Sequence, residues 1–200
     1  MLTRELLESM GAILSGHFVF ASGLHSNTYI NKDAVLVRPR LLNDVAKDIV
    51  AHSGPDIQTV VAPEKGGIKL VHAVAQELCR LMESEIFSPY AERGENDRFY
   101  FKREHGKFVA GYQVLVVEDV ITTGTTVRSV IDAVRELGGT VVGVGVICNR
   151  GKETAQTLGV PWLYSVLQIP LPNWEAILCP LCLQRMPVNT EVGHGWKFVA

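Results

Sequence analysis

Cysteine is scarce in this chain of 200 residues: Cys79, Cys148, Cys179 and Cys182 are all it has. Four scattered thiols are too few for a disulfide framework in a chain able to bury its own core, so a reducing compartment is expected. Charge of either sign is not in excess, with 19 Lys and Arg against 21 Asp and Glu. A formal charge of −2 supplies no large positive field for a nucleic-acid duplex or an anionic membrane surface, and any bound polyanion should be small. No apolar run approaches the ~20 residues of a membrane span. The opening MLTRELLESMGAIL carries acids and lacks the basic start and unbroken apolar core of a signal peptide, so a cytoplasmic location is expected. Internal repeats and low-complexity tracts are also missing.

What the chain does have is an ordinary globular balance, 47% hydrophobic against 20% charged, which suits one compact domain. Apolar positions recur at helical spacing from Leu2 to Leu14 and from Arg40 to His52. Between them, HFVFASGLHSNTYINKD reads as two short strands around a Gly/His/Ser turn. After Asp56 strands and helices alternate: TVVAP, a helix from about Gly66 to Met82, a strand around IFSPYA, VLVV, a helix from Thr125 to Leu137, and TVVGVGVIC. This rhythm predicts an α/β fold, a central mainly parallel sheet flanked by helices. Residues 92–107, ERGENDRFYFKREHGK, are rich in charge and carry two glycines, and read as a mobile excursion between strands.

The most informative stretch is VLVVEDVITTGTT, residues 114–126. VLVV is apolar at every position, as a central parallel strand covered on both faces requires, so Glu118 and Asp119 fall at its carboxyl end. Ligands of open α/β sheets bind at that edge. The turn that follows opens a helix whose first amides are unpaired and whose dipole favours negative charge; Gly124 permits close approach and the threonines add donors. That is a socket for a phosphate. Two carboxylates beside it would repel the anion unless they face ribose hydroxyls or a hydrated Mg²⁺, so a phosphorylated sugar satisfies both halves. Acids and threonines also cap helices and form turns, but the full string directly after a buried strand favours the binding site. A Walker pattern is absent, and GVGVIC at 143–148 lacks the third glycine and a following helix, which disfavours an ATP or NAD site.

EDVITTGTT resembles the phosphoribosyl diphosphate motif of the type I phosphoribosyltransferases. GHFVFASGLHSNTYINKD and VVAPEKGG, residues 60–67, are similar to the corresponding segments of the orotate phosphoribosyltransferase family, and the likeness runs from about Gly11 to Arg150. The resemblance implies a type I phosphoribosyltransferase fold with a small N-terminal hood, divided as a 1–172 transferase domain that includes the hood and a 173–200 extension. It implies transfer of the ribose 5-phosphate group of 5-phosphoribosyl 1-diphosphate to orotate, with Mg²⁺ as cofactor and a homodimer in which the lid of one subunit covers the site of the other.

Carried over residue by residue, Thr122, Thr123, Gly124, Thr125 and Thr126 hold the 5-phosphate. Glu118 and Asp119 hold the ribose hydroxyls, and Val120 and Ile121 complete the substrate-binding string. Lys65 reaches the diphosphate beside the amides of Gly66 and Gly67. Arg93, Lys102, Arg103, His105 and Lys107 are the lid cations that close over the leaving group. Here Arg93 is followed by GENDRFYF before Lys102, where the family places its lid cations closer together. Tyr29, Ile30, Thr122 and Arg150 contact the base. The family usually has a lysine where Ala21 stands, and Lys32 is the nearby candidate to replace it. Two further readings share the socket: a purine phosphoribosyltransferase, and a regulator that binds the diphosphate sugar without catalysis.

The tail breaks the α/β rhythm with CPLC, Cys179 to Cys182, a pair with zinc-ligand spacing that lacks two further ligands. His194 is the nearest histidine in sequence; packed thiols are the other reading.

Overall fold

The computed structural model describes residues 3–20, 22–169 and 171–197, with the side chains of Asp97 and Arg103 also outside the description. Ala21 therefore lies outside the described residues. The contacts divide the chain into two units, one of residues 36–169 and one that joins residues 3–35 to the tail beyond residue 170. The residues expected to form a separate extension are thus grouped with the N-terminal segment.

In this discontinuous unit, helix α1 spans Arg4–Ser9, with the Thr3 side chain accepting from the Leu6 amide. The apolar period predicts a helix reaching Leu14, but Gly11 adopts φ 71° and ends it, and Ile13 enters strand β1, Ile13–Val19. Only glycine takes that conformation without steric cost. β1 pairs antiparallel with β2, His25–Ile30, in register Leu14↔Tyr29 and Val19↔His25. This is the expected pair of strands. The short helix α2, Asp33–Leu36, leads to the other unit.

There, α3 covers Pro39–Ala51, with proline in its first turn where a missing amide costs nothing. β3, Thr59–Pro63, is buried at every position and leads into α4, Gly67–Met82. β4 is Tyr90–Arg93 and β5 is Phe99–Tyr100; then come β6, Gln113–Ile121, α5, Thr125–Glu136, and β7, Thr140–Asn149. A single turn, α6, Ala155–Leu158, and β8, Leu163–Gln168, complete the unit. Among the described residues six strands form one sheet in the order β5-β4-β3-β6-β7-β8, parallel except for β5 against β4.

Side-chain alternation on the strands assigns the layers. Val144 and Val146 join Val127, Val130, Ile131 and Val134 of α5 in one apolar cluster. Gly145, between those valines, turns the other way: a Cβ there would come 2.5 Å from Ile49 of α3. In the same manner Val61 belongs to the α5 cluster while Ala62 meets Gly67 of α4. Helices therefore cover both faces, which is why β3, β6 and β7 read as continuous apolar runs.

The charged stretch after β4 is more ordered than its composition predicts. Phe99, 2% exposed, joins the α5 cluster, and its amide donates to Ser129 Oγ at 2.9 Å. Arg98 is paired with Glu136 at the end of α5.

Candidate functional site

From the centre of the sheet the chain winds in opposite directions: β3 through α4 to β4 on one side, β6 through α5 to β7 and β8 on the other. Between β3 and β6, whose register is Thr59↔Val114 to Val61↔Val116, the strand order reverses. Connections diverge there and leave a crevice outside the carboxyl ends of the strands, the general ligand site of such sheets.

Glu118 and Asp119 arrive at that edge on β6, 6% and 4% exposed. Asp119 Oδ1 accepts the Val120 amide at 2.7 Å, and Glu118 Oε1 accepts the Asp119 amide at 3.0 Å. A concavity of about 90 Å³ is lined by Glu118 and by residues 120–127. Asp119, one residue on from Glu118, projects from the other side of the strand. Thr122, Thr123 and Thr125 are exposed at the loop, and the hydroxyls of Thr123 and Thr125 lie 3.0 Å apart. Gly124 forms the N-cap of α5 with φ 72°. The α5 amides that follow point at the loop without helical partners, the arrangement that receives an anion.

Three residues that the sequence reading passed over brace this loop. Arg128, one turn into α5, donates to the Thr123 carbonyl at 2.7 Å and is paired with Glu153. Glu153 also accepts the Thr157 hydroxyl at 2.7 Å, and its carbonyl accepts from the Asn149 amide group at 2.8 Å. The i+4 position of Arg128 relative to Gly124 is the one local signal; Asn149 at the end of β7 and Glu153 beyond it carry none.

Arg150 follows directly on β7, 7% exposed, its amide donating to the Ile121 carbonyl at 2.9 Å. The sheet thus brings Arg150 beside Thr122. Burial pushes the neighbouring Cys148 thiol up to about 12, with Arg150 opposing that shift. Lys65 is exposed just past β3, across a cis Glu64–Lys65 peptide, and Glu64 Oε1 accepts the Arg93 amide at 3.0 Å. Of the expected lid cations, Lys102 pairs with Glu92 and lies over the Tyr100 ring at 5.5 Å. The Glu92 hydrogen bond raises its pKa further. Lys107 meets Glu104 at 2.5 Å, His105 Nδ1 lies 3.2 Å from the Tyr90 carbonyl, and the Arg93 guanidinium stacks over Phe99 at 5.3 Å. These cations are thus engaged by Glu92, Glu104, the Tyr90 carbonyl and the rings of Phe99 and Tyr100. Arg103 lies outside the described side chains.

Tyr29 and Ile30 belong to β2 of the other unit, where Tyr29 packs against Phe18 with ring centroids 5.4 Å apart. In that same unit the cysteines of CPLC meet His17 and His25. Both lie more than 150 residues upstream, and His194, the sequence neighbour, is not in the group.

Strand order, crevice and Thr/Gly loop together define a phosphoribosyltransferase, and residues 33–180 match the family described as phosphoribosyl transferase domain. Curated orotate phosphoribosyltransferases of Thermotoga maritima and Desulforamulus reducens are 37% and 38% identical, over 97% and 92% of this chain and 99% and 91% of theirs. A solved orotate phosphoribosyltransferase from Aeropyrum pernix aligns with a TM-score of 0.61 at 28% identity, covering 82% of this chain and 92% of its own. The chain belongs to the orotate phosphoribosyltransferase family.

Proposed function

We propose that the protein transfers the ribosyl 5-phosphate group of 5-phosphoribosyl 1-diphosphate to orotate, giving orotidine 5′-phosphate and diphosphate, and that it does so as a Mg²⁺-dependent homodimer in the cytoplasm. The observation that carries the reading is the acid pair and Thr/Gly loop at the point where the strand order reverses.

The reaction breaks the bond from the anomeric carbon to the diphosphate oxygen and forms one to a ring nitrogen of the base, with inversion. The electron pair leaves with the diphosphate, so positive charge develops on the ribosyl ring. The protein's contribution is then chiefly electrostatic and positional. The amides at the start of α5 and the threonines anchor the 5-phosphate, which fixes the ribose against β6. Glu118 and Asp119 accept the ribose hydroxyls and stabilise the developing positive charge. Lys65 meets the departing diphosphate, and the lid cations exchange their acid partners for it as the lid closes. Closure excludes water from the ribosyl cation. Arg150 meets the orotate carboxylate with its two-pronged guanidinium.

The donor set fits Mg²⁺. Glu118 and Asp119 offer hard oxygen ligands, and no cluster of three or more carboxylate or imidazole ligands surrounds them among the described residues. Mg²⁺ is commonly held in this way, by one or two carboxylates with substrate phosphates and water completing the shell. When bound, it neutralises charge on the leaving diphosphate.

Incubation with orotate, 5-phosphoribosyl 1-diphosphate and Mg²⁺, following the loss of orotate absorbance, tests the reading. Loss of absorbance that requires all three supports it. Consumption of adenine or hypoxanthine in place of orotate identifies a purine transferase, and binding of the diphosphate sugar without turnover of any base identifies a regulator.

A further inference from the structure

The hairpin of β1 and β2 and the tail meet at four side chains whose chemistry the transferase reaction does not use. His17 on β1, His25 on β2, and Cys179 and Cys182 in the tail place one donor atom each within 4.8 Å of all the others. His17, His25 and Cys179 are buried and Cys182 is half-buried. Cys179 caps the short helix α7, Pro180–Leu183, which carries Cys182.

We propose that His17, His25, Cys179 and Cys182 bind a structural Zn²⁺ ion that fastens the tail to the hairpin. Two thiolates and two imidazoles form a closed four-ligand set of the soft and borderline donors that Zn²⁺ prefers, with the C-x₂-C spacing of structural sites. Bonds of about 2.0–2.1 Å to nitrogen and about 2.3 Å to sulfur make the edges of a tetrahedron roughly 3.3 to 3.8 Å long. Cys182 Sγ lies 3.4 Å from His25 Nδ1 and 3.7 Å from His17 Nε2, and Cys179 Sγ lies 3.7 Å from His17 Nε2. The two imidazole nitrogens, 2.8 Å apart, need to open by about half an ångström.

A second contact points the same way. His17 Nδ1 lies 2.8 Å from the Met186 carbonyl, so it carries the proton and donates, and the lone pair of Nε2 is directed into the group. Fixing a ligand's tautomer through its far nitrogen is the usual arrangement around protein-bound zinc. The surroundings also ask for such a fastening. Ile177, Leu178 and Leu183 of the tail are 81%, 67% and 77% exposed, so this segment builds little core of its own. Its other ties to the hairpin include the reciprocal backbone pair of His25 with Trp174, the Asn189 amide to the His17 carbonyl, and the Ser26 hydroxyl to the Pro172 carbonyl. Small units with thin cores are commonly held by a metal.

Full-length protein produced with zinc in the medium and purified under reducing conditions without chelator should contain one zinc per chain by elemental analysis. Exchange for Co²⁺ should give thiolate-to-metal charge-transfer absorption and the intense visible bands of a tetrahedral site. Cys182→Ser and His17→Ala should lose the metal, and Cys79→Ser should keep it. A wild-type protein that holds no stoichiometric zinc and gives no cobalt charge transfer overturns the proposal, as does full zinc retention in Cys182→Ser. The wild-type measurement stands even where a variant fails to fold, and neither result bears on the transferase reading.

Discussion

Glu118 and Asp119 are neighbours on one strand, and both are buried at its carboxyl end. Glu118 lines the concavity of the phosphate loop, and Asp119 has one oxygen tied to a backbone amide. Replacing Asp119 by Asn keeps the size and removes the charge. Turnover should fall by roughly 10²-fold with a much smaller rise in KM, because the lost interaction strengthens as positive charge develops on the ribosyl ring. Steady-state kinetics with both substrates checks this, and an unchanged kcat would refute it. Cys148 shows the opposite use of burial. At pH 8 a thiol pushed up to about 12 is ionised only to ~10⁻⁴, so it should resist alkylation in the folded protein and react fully in urea. Peptide mapping after iodoacetamide treatment reads the difference, and labelling of folded protein at pH 8 would contradict it.

At the scale of elements, the proposed phosphate site at the start of α5 depends on one backbone conformation, Gly124 at φ 72°. Gly124→Ala puts a side chain at φ 72° with its Cβ 2.8 Å from Arg128 Nη1, so the brace on Thr123 must shift. The left-handed conformation alone costs about 1–2 kcal/mol. Chemical denaturation should show that loss, and titration calorimetry should show weaker binding of 5-phosphoribosyl 1-diphosphate. Much of this element was legible beforehand. The apolar run of β6, the acids at its end, and the helix from Thr125 to within one residue of the expected Leu137 follow from local pattern and cap chemistry. β5 was not legible, because a two-residue strand in a charged stretch has no period; only the tertiary burial of Phe99 defines it. The ring of histidines and cysteines was half legible. CPLC is a local motif, but His17 stands 165 residues from Cys182, and only the tertiary packing of the tail on the hairpin joins them.

At the scale of the molecule, the proposed homodimer makes the lid a shared part. If one subunit's lid covers its partner's crevice, Asp119→Asn and Lys102→Ala lie in different subunits of any one working site. Two proteins inactivated separately at these positions should regain activity once their subunits are exchanged, each hybrid holding one intact site. Activity assays before and after subunit exchange check this, and a failure of rescue in mass-verified hybrids would place the lid over its own subunit's crevice.

The discontinuous unit also constrains the order of events at the ribosome. The sheet unit, residues 36–169, is contiguous in sequence and is synthesised before the tail. The hairpin strands are synthesised first, yet their partners, Trp174 and the two tail cysteines, come last. At roughly 5–20 residues per second, the first histidine waits on the order of ten seconds or more for its companions. The hairpin is therefore made before the sheet unit, yet finds its companions only after that unit has been synthesised.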